Sequence, residues 1–98
     1  MGLGLRTCGD FAEFYRKTGE MGEMSYFSWA QGYMSGLNMG RLVAGQDNFK
    51  DMNSISVEEQ QRHLRKYCDE HPLAEYSKAV VHLYSEFAIE KYDPNNQK

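Results

Sequence analysis

The chain has 98 residues, 41% of them hydrophobic and 13% aromatic, with a formal net charge of −3. That is enough apolar material for one core and one domain, and too much for a disordered body. An acidic balance with one short basic cluster, "RHLRK" at 62–66, argues against nucleic acid, and no apolar run approaches the roughly 20 residues that cross a bilayer.

The opening "MGLGLR" is too short for a secretory signal, and Arg6 stands where a myristoylation motif wants Ser or Thr. Residues 1–6 are read as a tail. The domain proper is expected over 7–92, followed by a polar tail at 93–98.

The first helix is expected from about Thr7 to Lys17. Thr7 and Asp10 give a T-x-x-D start signal, and Cys8, Phe11, Ala12 and Tyr15 recur at helical spacing. "KTGEMGEM" then interrupts the pattern with two glycines.

The second helix is expected from about Ser25 to Ala44, with Gly45 as its stop. Tyr26, Trp29, Ala30, Tyr33, Met34 and Leu37 share one arc, while Ser28, Gln31, Ser35 and Asn38 take the other side. Gly32, Gly36 and Gly40 line one edge of the apolar arc. Each costs roughly 1 kcal/mol relative to Ala in a helix interior. The expected reason is close packing of another backbone inside the bundle, with self-association as a homodimer the other use of such a strip. The methionines are read as core filling rather than as an adaptable binding surface.

The connection 45–55 is longer than most loops in compact domains. It carries Phe49, Met52 and Ile55 among turn formers, and Phe49 and Met52 are the expected anchors for a partner.

"SVEE" makes Ser56 an N-cap with Glu59 at the third helical position. The third helix then presents a thin inner face of Val57, Leu64, Tyr67, Cys68 and His71. Pro72 ends it and is expected to open the fourth helix, with a stripe of Leu73, Tyr76, Val80, Leu83, Tyr84 and Phe87 that ends near Tyr92.

Cys8 and Cys68 are either one disulfide or two buried thiols. Both sit on apolar faces of different helices and can meet, so the disulfide is favoured. Closing about sixty residues would stabilise the fold by roughly 4 kcal/mol and implies an oxidising compartment. No cofactor and no metal are expected. His63 and Cys68 have a poor ligand spacing, His82 points away from the fourth-helix stripe, and His71 serves the corner before Pro72. Adjacent carboxylates such as Glu58–Glu59 and Asp69–Glu70 diverge on a helix and are read as surface charge, leaving no catalytic constellation.

Together, "TCGDFAEFY", "WAQGYMSGLN" and "LRKYCDEHPLAEYSKAVVHLY" resemble the HdeA-like group of small exported bacterial proteins, and within it the Rap/Tai immunity proteins linked to type VI secretion. The carrying positions are Cys8, the Trp29–Gly36 stretch, and Cys68 with His71-Pro72, over about residues 7 to 88. The resemblance implies an all-α fold with a Cys8–Cys68 disulfide, a periplasmic or secreted location, no enzymatic activity, and a protein partner that is toxin-like. An acid-stress chaperone that binds unfolded clients, as HdeA does, is the alternative it implies.

Overall fold

The computed structural model describes residues 3–46 and 49–89. It is all-α, built from four helices and one disulfide: α1 (Cys8–Thr18), α2 (Glu20–Val43), α3 (Val57–Glu70) and α4 (Tyr76–Glu86), preceded by a single 3-10 turn over Leu3–Leu5. Only two isolated bridges, Thr7 with Glu75 and Lys50 with Ile89, are extended pairings among the described residues. The expected end of the fourth helix near Tyr92 and the tail at 93–98 lie outside them.

α1 starts where the T-x-x-D signal says it should. The Asp10 N–H donates to Thr7 Oγ1 at 3.1 Å, and the Thr7 N–H donates back to Asp10 Oδ2 at 3.2 Å, a complete capping box. Two further N–H groups of the first turn find carbonyls outside the helix. Cys8 donates to Ala74 at 2.7 Å and Gly9 to Pro72 at 2.9 Å, while Tyr76 N–H returns to Arg6 at 2.7 Å. Those bonds explain why the fourth helix does not begin at Pro72. Residues 72–75 form a turn and a single bridge held against the start of α1, so α4 opens at Tyr76, and Leu73 leaves the expected stripe to stand 91% exposed.

The two glycines of "KTGEMGEM" do not separate the helices by a loop. Gly19 has φ +64°, a conformation side-chain-bearing residues rarely adopt, and turns the chain in one residue from α1 into α2. Gly22 lies inside α2, where an added Cβ would stand 1.8 Å from Thr18 Oγ1 and 3.0 Å from the Phe14 ring. Gly22 is the glycine that close α1–α2 packing requires. α2 ends as expected, with Gly45 at φ +74° just beyond it.

α1 packs on α2 and α3, and α4 packs on α3, on α2 and on the N-terminal turn. The core between them holds Cys8 and Phe11 of α1, Tyr26, Phe27, Ala30 and Met34 of α2, Leu64 and Cys68 of α3, and Tyr76, Ala79, Val80, Leu83 and Tyr84 of α4, closed by Phe87. The expected α4 stripe is therefore buried from Tyr76 onward. On α3 the inner face is thinner still than expected: Val57 and His71 are exposed, and Gln60 takes an inner place by donating to the Ile55 carbonyl at 2.8 Å. Ser56 caps α3 through the Glu59 N–H at 3.2 Å, but the Glu59 carboxylate turns to Arg62 instead of completing the box. Among the described residues, no helix is long and apolar enough to cross a membrane.

Candidate functional site

Cys8 and Cys68 are joined in a disulfide between the first turn of α1 and the last turn of α3, with Cα atoms 4.6 Å apart. Both are buried and no free cysteine remains, so no thiolate is available as a nucleophile. The bond fastens α3, whose apolar face is narrow, to the body of the domain. A second tie lies between α3 and α2. The Glu23 carboxylate, in a residue only 6% exposed, pairs with the Arg65 guanidinium, which also lies 5.7 Å from the centre of the Tyr15 ring on α1. An aromatic cluster joins α1, α2 and α4: Phe11, Tyr26 and Tyr76 stand with ring centres 4.9–5.2 Å apart. Burial, with smaller help from Tyr26 and Glu23, pushes the Tyr76 phenol far up, and its hydroxyl has no hydrogen-bond partner among the described residues.

The glycine strip of α2 is not where the spacing predicted. A Cβ built on Gly32, Gly36 or Gly40 meets nothing within 4 Å, so among the described residues none of the three brings another backbone close. The core lies on the opposite side of α2, at Ala30 and Met34, and the strip faces outward. Trp29 stacks on Tyr33 along one border, with ring centres 5.0 Å apart and 12° between planes. Met39, Leu42 and Val43 are exposed in the last turns, Val43 at 78%. The result is a bare strip of backbone with aromatic and aliphatic side chains around it.

Over its described residues the connection after α2 is tied to the body of the domain. Of the two expected partner anchors, Met52 is partly buried against the core and Phe49 is half-buried. The segment is held down by Asn38, which the helical wheel had placed on the solvent side. Its side-chain amide donates to the Lys50 carbonyl at 2.9 Å, and its Oδ1 accepts from the Lys50 N–H at 2.5 Å and from the buried Tyr84 hydroxyl at 2.7 Å. Lys50 then sends its Nζ to the carbonyls of Phe87 at 2.9 Å and Ser85 at 3.3 Å, satisfying acceptors left open at the end of α4. Asp51 N–H to Ala88 and Ala88 N–H to Ser54 Oγ extend the seam. The strap thus fixes α2 against the end of α4 and holds the outward face of α2 in one orientation.

The structure also brings together two residues the sequence had treated separately. His63 of α3 and His82 of α4 meet across the helix pair, Nε2 to Nδ1 at 2.9 Å. The ring of Tyr67 lies 5.0 Å from His82 and 4.4 Å from His71. Burial holds the His63 imidazole below its ordinary pKa, His82 and Lys66 push the same way, and Glu86 opposes them. Sequence spacing had no means of finding this pair, because 19 residues and a corner separate its members. Comparison with known proteins finds no family, no curated protein and no solved structure that matches this chain.

Proposed function

We propose that this chain is an exported, non-enzymatic protein-binding domain of the Rap/Tai immunity kind, which neutralises a toxin-like protein through a preformed surface. The surface is the outward face of α2, with Gly32, Gly36 and Gly40 as its floor and Trp29, Tyr33, Met39 and Val43 around it. One observation carries the proposal. Three helix-interior glycines each cost about 1 kcal/mol, yet nothing among the described residues uses the space they leave. A stability sacrifice without an internal return is what a binding surface predicts. Exposed aromatic and aliphatic side chains beside the strip supply the apolar contact area such a surface needs. The disulfide fits an oxidising compartment. Because the strap fixes α2, association would need little reordering of this chain.

The test is purification of the partner from the native host, followed by an assay of that partner's own activity. Wild-type chain should abolish the activity at one-to-one stoichiometry, and Gly36→Trp should not, while keeping its helical circular dichroism. Inhibition undiminished by Gly36→Trp would overturn the placement of the surface; a partner with no activity to inhibit would overturn the immunity role.

The chaperone alternative draws on a different feature. The Glu23–Arg65 pair ties α2 to α3 from a buried position, an electrostatic link of the kind that a change in net charge disturbs. With 14 carboxylates neutralised against 11 Lys and Arg, the chain turns strongly cationic and repels itself. Suppression of the aggregation of unrelated proteins at about pH 2–3 would favour this role; its absence leaves immunity.

A further inference from the structure

We infer that His63 and His82 form the two-imidazole half of a surface site for a first-row divalent transition cation of the zinc class, with Glu86 as the carboxylate that completes it. Two nitrogens bound to one cation at about 2.0–2.1 Å, at angles from 90° to the tetrahedral value, stand roughly 2.8–3.4 Å apart. His63 Nε2 and His82 Nδ1 stand 2.9 Å apart, one from each helix and within that range. The Tyr67 ring against His82 limits that ring to a narrow range of orientations.

The third ligand follows from helix register. Glu86 lies four residues after His82, one turn along the same face, and lines one cleft of about 310 Å³ together with His63 and Glu59. The neighbouring charges leave it available. Glu59 is paired with Arg62, Lys66 reaches toward Glu70 at 4.0 Å, and Glu86 makes no ion pair among the described residues. No three ligand-type side chains already converge there, so the carboxylate swings onto the imidazole pair when the cation arrives, and water fills the remaining positions. This departs from the sequence expectation of no metal, which rested on the poor spacing of His63 and Cys68, on His82 pointing away from the fourth-helix stripe and on His71 serving the corner before Pro72.

The site clamps α3 to α4, which gives a readout independent of any activity. The full chain, stripped with chelator, is titrated with ZnCl₂ at pH 7.5 by calorimetry and followed by thermal unfolding. One Zn²⁺ per chain is expected, with a rise in Tm of roughly 10 °C at metal a hundredfold above Kd. Cu²⁺ should bind more tightly than Zn²⁺, and Mg²⁺ should give no shift. His63→Gln and His82→Gln should each weaken Zn²⁺ binding by about tenfold or more and remove the Tm rise, and Glu86→Gln should weaken it less. His71→Gln, which alters the third histidine, should leave binding unchanged. No saturable binding tighter than about 0.1 mM would overturn the site. So would binding that survives His82→Gln, whose exposed position makes a folding failure an unsuitable excuse, or that falls equally with His71→Gln.

Discussion

Replacing Gly32, Gly36 and Gly40 by Ala should stabilise this protein. Each sits in the interior of α2, and a Cβ at each position points into open space. The substitution therefore adds no clash and removes the backbone freedom that Gly carries in the unfolded chain, for about 1 kcal/mol per site at best. The three positions share no partner, so the effects should add to roughly 3 kcal/mol. In a domain of this size that corresponds to a Tm rise of about 12 °C or more. Gly22 is the internal control. Its Cβ would collide with Thr18 Oγ1 and press on Phe14, so Gly22→Ala should destabilise by about 1–3 kcal/mol although it sits in the same helix. Urea unfolding of the four single variants and the triple, with unchanged m-values, measures this directly. If the triple variant is less stable than wild type, the strip is packed against something in the free protein, and the reasoning that assigns it to a partner fails. If the triple variant is more stable and binds its partner as wild type does, the strip is not the contact surface.

Asn38→Ala should cost about 2–4 kcal/mol, because it orphans the buried Tyr84 hydroxyl and frees both backbone groups of Lys50; a double-mutant cycle with Tyr84→Phe should return a coupling of at least about 0.5 kcal/mol, and additive losses would dissolve the proposed seam. Removing the disulfide with Cys8→Ala and Cys68→Ala closes no loop over its 60-residue separation and should cost about 4 kcal/mol, read as a fall in the urea midpoint; a loss under about 1 kcal/mol would mean that the denatured chain is already constrained. In metal-free buffer, stability should fall as pH drops below about 6.5. His63 has a lowered folded pKa, so the unfolded chain binds more protons in the window between that pKa and its unfolded value, and the contribution is complete above the unfolded value. His63→Gln should flatten the pH dependence of the urea midpoint between pH 7 and 5, and an unchanged slope would remove His63 as its source. Tyr76→Phe should be neutral or slightly stabilising in thermal unfolding, since the hydroxyl it deletes is buried without a partner among the described residues.

Much of this fold was legible in local chemistry. Caps at Thr7 and Ser56, the stop at Gly45 and the period-3.6 burial of Tyr76, Val80, Leu83 and Tyr84 follow from rules that act within one or two turns of chain. The cysteines were legible for the same reason, because each lay on the inner face of its own helix, and two inner faces of a small bundle converge. The lack of an apolar run long enough to cross a bilayer was also readable in the sequence, and no helix among the described residues has that length and apolarity.

What tertiary structure alone decided is which of the equivalent local options was used. Four glycines in α2 look alike in sequence, and only the neighbouring helix separates Gly22, wedged against Thr18, from Gly32, Gly36 and Gly40, which face open space. Asn38 lies on the polar side of a wheel, and only the return of residues 49–51 past α2 makes it a half-buried hub. Pro72 suits the first turn of a helix, but hydrogen bonds to α1 claim its carbonyl and that of Ala74 first. His63 and His82 become a pair only because α3 and α4 cross where they do. A pattern with a period reports which side of an element is apolar; it carries no information on which other element arrives there, because that depends on contacts between residues far apart in the chain.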